Sequence, residues 1–131
     1  MILLDTNAFI WWLSDRDKLS SRALSSINSH AVDNKILISS MSIWEICLLV
    51  QKKRIDIHDS LENWVSGLKK LPDLEFIPID NDIAYQATNL PGIFHKDPAD
   101  RIIVATARFL GATLITSDKL IFRYKHVKTI W

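Results

Sequence analysis

The residues of this chain that could do chemistry are mostly acidic, and each lies beside an apolar segment. The five of interest are Asp5, Glu45, Asp97, Asp100 and Asp118. Carboxylates that crowd together repel one another, and at neutral pH some stay protonated unless a cation neutralises them. Their oxygens are hard ligands that favour Mg²⁺ or Mn²⁺ over zinc. The four histidines are scattered at positions 30, 58, 95 and 126, so no Cys/His cluster competes for a metal.

An alternation of short apolar runs and helical patterns predicts that these acids come together. Strands are expected at residues 2–4, 35–39, 75–79, 112–116 and 127–131. Helices are expected near residues 8–14, 21–29, 42–50, 60–70, 82–89 and 98–110. Such alternation is typical of an α/β fold in which helices cover both faces of a parallel sheet. Right-handed crossovers then bring the strand ends and helix starts that carry these acids to the carboxyl edge of the sheet.

Most of these acids also have a local structural explanation. Ser42 and Glu45 have the spacing of a capping box, in which each side chain binds the other residue's backbone N–H. Asp97 fits an N-cap, since proline follows it at the first helical position. Asp5 could simply make a turn. Asp100 has less need of such a role, because Asp97 already caps that helix.

The composition is that of an ordinary globular domain. The chain has 131 residues, of which 48% are hydrophobic and 24% charged, and its net charge is +1. We therefore expect one domain over residues 1–131. A single cysteine excludes an intrachain disulfide and fits a reducing, cytoplasmic location. No apolar run approaches the roughly 20 residues of a membrane span, and no basic region precedes the first run, so neither a membrane anchor nor a signal peptide is expected.

Four motifs occur in a specific order along nearly the whole chain. They are Leu-Asp-Thr-Asn at 4–7, Ser-Ile-Trp-Glu-Ile at 42–46, His-Lys-Asp-Pro-Ala-Asp-Arg-Ile-Ile-Val-Ala-Thr-Ala at 95–107 and Leu-Ile-Thr-Ser-Asp at 114–118. Through them the chain resembles the PIN-domain ribonucleases, most closely the VapC toxins of type II toxin–antitoxin modules. The resemblance implies a PIN-like three-layer α/β fold around a five-stranded parallel sheet with strand order 3-2-1-4-5.

The resemblance also implies roles for individual residues. The catalytic and metal-binding quartet is Asp5, Glu45, Asp100 and Asp118, with Mg²⁺ as the expected ion and Mn²⁺ as an alternative. Asp97 is an additional acid, and the groups expected to support the ligands are Asn7 and Thr116. Candidate phosphate contacts, or else ordinary solvated surface, are Lys96, Arg101, Lys119 and residues 52–54.

The expected function is that of a Mg²⁺-dependent endoribonuclease that cleaves single-stranded or loop RNA with a metal-activated water. The resemblance further implies a toxin that forms a homodimer and is neutralised by a co-encoded antitoxin. The adjacent Trp11 and Trp12 agree with a protein interface, because one narrow helix face cannot bury both.

Other classes of protein fit the sequence less well. An acylphosphate-forming hydrolase needs a second aspartate where Asn7 stands, and a phosphoacceptor receiver domain needs adjacent acids where Thr6 stands. A catalytically weak PIN-like module that binds RNA or another protein remains the alternative.

Overall fold

The computed structural model describes residues 1–33 and 35–131. Its strands are β1 (Ile2–Leu4), β2 (Ile36–Ser39), β3 (Leu74–Ile77), β4 (Thr113–Ile115) and β5 (Thr129–Ile130). Its α-helices are α1 (Thr6–Ser14), α2 (Ser21–Asp33), α3 (Ser40–Gln51), α4 (Leu61–Leu68), α5 (Asn81–Thr88), α6 (Pro98–Leu110) and α7 (Lys119–Phe122), and a 3₁₀ turn covers Arg16–Lys18. In the described part of the chain, every helix is too short or too polar to cross a membrane.

The five strands form one sheet in the order β3-β2-β1-β4-β5, and every neighbouring pair is parallel. This confirms the predicted order 3-2-1-4-5. The middle strand β1 pairs Leu3 with Leu37 on one side and with Leu114 on the other. Pro78 follows the edge strand β3, as expected for a residue that cannot donate to a strand ladder.

Alternate residues of β1 face opposite sides of the sheet. Ile2 and Leu4 belong to a core cluster that includes residues of α1 and α2, whereas Leu3 belongs to a second cluster with Ile103 and Val104 of α6. Both faces of the sheet are therefore covered by helices, which gives the three predicted layers and explains why the strand is apolar at every position.

Helix α3 differs from its prediction at two points. It begins at Ser40, and its N-cap is Ser39, whose hydroxyl accepts the Met41 N–H at 3.1 Å. The predicted start at Ser42, with its capping box, is therefore wrong by two residues. Residues 43–50 are apolar apart from Glu45, a pattern that predicts a buried helix, but Trp44 is 58% exposed.

A pair of equal truncations tests the packing of this sheet. Ile38→Ala in β2 removes a fully buried side chain, so we expect it to lower the free energy of unfolding by about 2–5 kcal/mol. Ile93→Ala deletes the same atoms from a side chain that is 98% exposed, so its effect should stay within about 0.5 kcal/mol. Denaturant unfolding measures both, and equal losses would contradict this assignment of the core.

Candidate active site at the carboxyl edge of the sheet

Asp5 lies at the point where the sheet ends and the first helix begins. Its backbone N–H continues the ladder by donating to the Ile115 carbonyl of β4 at 3.1 Å. Its carboxylate accepts the Ala8 N–H at 2.7 Å and so caps α1. The side chain is buried, with 6% of its surface exposed.

Glu45 reaches the same edge from α3. Its Oε1 accepts a hydrogen bond from the Thr6 hydroxyl, whose oxygen lies 2.9 Å from the Ser42 hydroxyl. The glutamate is thus held by the first residue of α1 and does not cap its own helix. Thr6 and Ser42 were missed as site residues; the only sequence signal was their place inside two of the four motifs.

Asp118 repeats at β4 the arrangement that Asp5 has at β1. Its carboxylate accepts the N–H groups of Leu120 and Ile121 at 2.8 and 3.2 Å and so caps α7, a helix that the sequence analysis did not predict. Its own N–H donates to the Thr116 hydroxyl at 3.0 Å. The buried Thr116 side chain also interacts with the Asp5 carboxylate and lowers its pKa, so it links the two aspartates.

The two acids that open α6 have different environments. Asp97 accepts the Ala99 N–H at 3.1 Å, which confirms it as the N-cap. Asp100 lies one turn further, with its Oδ2 3.1 Å from Nε2 of His95. Nδ1 of His95 accepts the Asp97 N–H at 3.4 Å, so a neutral imidazole carries its proton on Nε2, the atom that faces Asp100.

Shifts in pKa show that these carboxylates share one environment. Burial is the largest cause that raises the pKa of Asp100 to about 7, and the charges of the other four acids add to it. Burial also raises the pKa of Asp5 to about 6, helped by the charges of Asp118 and Glu45 and opposed by hydrogen bonds from Thr116 and the Ala8 N–H. The pKa of Glu45 is raised as well, first by burial and then by Asp97, while the Thr6 hydroxyl opposes the shift.

Positive charge does not balance this cluster. Over residues 1–33 and 35–131, the contacts within 4 Å between a basic and an acidic side chain are His58 with Asp56 and His95 with Asp100, so no lysine or arginine pairs with any of the five acids. The site therefore concentrates negative charge at the carboxyl ends of the central strands β1 and β4, the topological switch point of the sheet.

The donor set fits a hard divalent cation. It consists of carboxylate oxygens, and a bound cation would stabilise the charged forms that burial, and after it repulsion, disfavours in Asp5 and Asp100. Among the described residues, no group of three or more His, Cys, Asp or Glu side chains is arranged to hold a metal ion by itself. Mg²⁺ needs only one or two carboxylates, since it keeps several of its waters.

Most of the other candidate residues are exposed. Asn7 is exposed and lines a groove along α1 and α3, while Lys96 and Lys119 are exposed at the starts of α6 and α7. Arg101 is committed to the fold, because its guanidinium donates to the carbonyl groups of Ala87, Phe94 and His95 at 2.8, 3.2 and 3.2 Å. Residues 52–54 are exposed beyond the end of α3.

The raised pKa values predict how stability depends on pH in the metal-free protein. Between about pH 3.8 and 7 the folded state holds protons on Asp5 and Asp100 that the unfolded chain has released, so the free energy of unfolding should fall as pH rises through this window. Asp100→Asn should flatten the upper part of this fall and raise the melting temperature at pH 8. The exposed Asp73→Asn is the control, and melting curves in chelator give the comparison. An unchanged pH profile for Asp100→Asn would contradict the shifted pKa.

Comparisons with known proteins agree with this fold. The PIN domain family model matches residues 2–127. Ribonuclease VapC22 of Mycobacterium tuberculosis (strain ATCC 25618 / H37Rv) is 30% identical over 132 residues, covering 99% of this chain and 98% of that protein.

Two solved structures have the same fold. FitAcB from Neisseria gonorrhoeae gives a TM-score of 0.71 at 23% identity, covering 100% of this chain and 97% of that one. VapBC2 from Rickettsia felis, bound to a DNA fragment from their promoter, gives a TM-score of 0.70 at 20% identity, covering 99% of this chain and 98% of that one. The chain therefore belongs to the PIN-domain family and, within it, to the VapC-type proteins.

Proposed function

We propose that this chain is a Mg²⁺-dependent endoribonuclease that acts as the toxin of a toxin–antitoxin module. The observation that carries the proposal is the convergence of five carboxylates, with no lysine or arginine paired to them in the described residues, at the switch point of the sheet. The 30% identical relative carries the name of a ribonuclease. We further propose that residues 1–131 act as one domain in the cytoplasm.

The acidic side chains have two different roles in the proposed reaction. Asp5, Asp100 and Asp118 supply the oxygens that bind Mg²⁺, with Mn²⁺ as a substitute, directly or through water. Glu45 is fixed by the Thr6 hydroxyl and orients the attacking water or accepts its proton. When bound, the cation lowers the pKa of a water and neutralises charge on the phosphate.

Other groups have supporting roles. The buried Thr116 hydroxyl holds Asp5 and the backbone of Asp118 in register, and Asp97 caps the helix that presents Asp100. Asn7 stands beside the cluster on α1 as a further polar group. Single-stranded or loop RNA is the proposed substrate, because an unpaired strand bends more easily into an edge site than a duplex does.

Lys96 and Lys119 are the proposed phosphate contacts. Both side chains are exposed, and Lys96 directly precedes Asp97 while Lys119 directly follows Asp118. Nε and Nη1 of Arg101 already donate to backbone carbonyls, so only its remaining N–H groups could contact a phosphate. Its main proposed role is therefore to hold the loop before α6 in position.

The apolar surface supports the proposed partners. Trp44 on α3 is 58% exposed and Leu13 at the end of α1 is 38% exposed, whereas Trp12 is buried. Exposed aromatic and aliphatic side chains at this density mark protein interfaces. We assign these exposed side chains to a homodimer contact and to a cognate antitoxin.

Metal removal tests the proposal directly. Millimolar Mg²⁺ or Mn²⁺ should raise the melting temperature, since an ion that binds only the folded state stabilises it, and cleavage of labelled RNA should stop in EDTA and return with Mg²⁺. Cleavage that persists in EDTA, with a melting curve that metal does not move, would overturn the metal site. RNA binding without cleavage under any divalent ion would favour the non-catalytic module.

The two acids of α6 provide a matched pair of variants. Asp100→Asn keeps the shape but weakens the metal site, so cleavage should fall at least ~10²-fold, equivalent to about 3 kcal/mol of transition-state stabilisation. Asp97→Asn retains a good N-cap and should cost only ~10-fold. Cleavage rates and metal-free melting are measured for both at one pH. A folded Asp97→Asn that is the more damaged of the two would reverse the assignment of the direct ligand.

A further inference from the structure

The C-terminal segment of the chain has a charge opposite to that of the site. Residues 119–131 contain Lys119, Arg123, Lys125 and Lys128 and no Asp or Glu, so the rest of the chain is net negative. This basic segment begins immediately after Asp118, one of the clustered acids. Basic and acidic surfaces therefore meet at the end of β4.

An open cavity of about 480 Å³ lies between this segment and the loop that precedes α6. Its lining includes the rings of Phe94, His95, Tyr124 and His126, together with Arg123 and Lys125. The aliphatic residues at its surface are unusually exposed, Ile93 to 98% and Leu120 to 55%. The cavity thus combines aromatic and aliphatic surface with cationic groups.

The four rings form a continuous row that leads away from the acids. Successive centroid distances are 4.4 Å from His95 to Phe94, 4.7 Å from Phe94 to Tyr124 and 5.3 Å from Tyr124 to His126. The row begins at the clustered acids, since Nε2 of His95 lies 3.1 Å from the Asp100 carboxylate. A molecule in the cavity therefore lies next to the proposed reaction centre.

Hydrogen bonds fix this row in place. The Tyr124 hydroxyl donates to the Pro91 carbonyl, and the Arg101 guanidinium donates to the carbonyls of Phe94 and His95. The walls of the cavity are thus preorganised by groups from α6 and from the C-terminal segment, which lowers the cost of ordering them around a ligand.

We propose that this cavity binds a nucleotide of single-stranded RNA adjacent to the scissile phosphate. The base would pack against the ring row, and Arg123 and Lys125 would contact the flanking phosphates. The inference rests on the proposed function, in that RNA is the substrate. It also answers an electrostatic difficulty of that function, because clustered carboxylates repel a phosphate backbone and cations beside them are needed to hold it.

Charge favours RNA over a protein in this cavity. The centres of protein interfaces are depleted of charged residues, whereas here Arg123 and Lys125 flank the buried Tyr124 in the sequence and line the cavity with it. A second copy of this chain would have to cover both cations with acids. RNA supplies a base for the rings and phosphates for the cations in one ligand.

The test measures binding without cleavage. The full chain carrying Asp5→Asn is titrated in chelator with a short, unstructured, fluorescent single-stranded RNA over a range of salt concentrations. Arg123→Ala/Lys125→Ala is compared with Lys69→Ala/Lys70→Ala, which removes the same charge from exposed positions just before β3, at the amino edge of the sheet. Melting curves establish that both double variants are folded.

Two phosphate contacts predict a defined change. The cavity variant should lose about 1.4 from the slope of log affinity against log salt, at roughly 0.7 for each single-strand contact, and bind at least ~10-fold more weakly. The Lys69/Lys70 variant should keep the parental slope. Equal losses in the two variants would mean that bulk charge alone acts, and would overturn the proposal.

A second comparison isolates the base. The parent should prefer RNA over an abasic oligonucleotide of equal length, and Phe94→Leu, which keeps apolar volume but removes the ring, should reduce this preference without changing the salt slope. An unchanged preference would overturn base packing. Loss of a dimer by light scattering in the Arg123/Lys125 variant, with RNA binding intact, would assign the cavity to a second copy instead.

These results separate the cavity from the proposed reaction. If RNA binding by the Asp5→Asn chain depends on the cavity but the chain with Asp5 intact does not cleave RNA in Mg²⁺, the ribonuclease assignment is overturned and the cavity is supported. If the Arg123→Ala/Lys125→Ala variant with Asp5 intact cleaves RNA at the parental rate and binds it with the parental affinity, the cavity proposal is overturned and the ribonuclease assignment is supported.

Discussion

Negative charge that is not paired with any lysine or arginine among the described residues collects at one edge of the sheet. Burial and mutual repulsion raise the pKa of Asp5 to about 6 and that of Asp100 to about 7, so the cluster is unfavourable in the absence of a cation. Three of the acids also cap helices: Asp5 caps α1, Asp97 caps α6 and Asp118 caps α7. Backbone N–H groups and helix dipoles thereby offset part of the repulsion without supplying a neutralising side chain.

Neutral donors position the carboxylates. The Thr6 hydroxyl holds Glu45, and Thr116 connects Asp5 to the backbone of Asp118. A lysine or arginine could fix the same carboxylates, but it would also satisfy their charge and compete with a metal ion. Hydroxyl groups fix direction and leave the charge available, which is the property that a weakly held, water-rich Mg²⁺ site requires.

Local signals in the sequence account for most of the fold. Apolar runs located all five strands, and the Asp97-Pro98 cap and Gly111 located α6. One prediction was wrong because residues that form a local sequence motif contact a residue far away in the sequence. Ser42 and Glu45 have the spacing of a capping box, but both are near Thr6, which is 36 and 39 residues away in the sequence. Helix α7 was missed because four residues carry too little periodicity to detect, although Asp118 is its cap.

The convergence of the acids could be predicted from the sequence because the topology is regular. Once the strands are parallel and the crossovers right-handed, every acid that ends a strand or opens a following helix must reach the same edge. The position of His95 could not be predicted in this way, since it lies in a loop and its contact with Asp100 depends on the path of residues 91–97. That path is held by Arg101, which the sequence pattern presented as a surface cation but whose guanidinium donates to the Ala87 carbonyl of α5 and to two loop carbonyls, those of Phe94 and His95. Arg101 directly follows Asp100 on α6, so the same helical turn presents a carboxylate to the site and fixes the loop that carries its histidine neighbour.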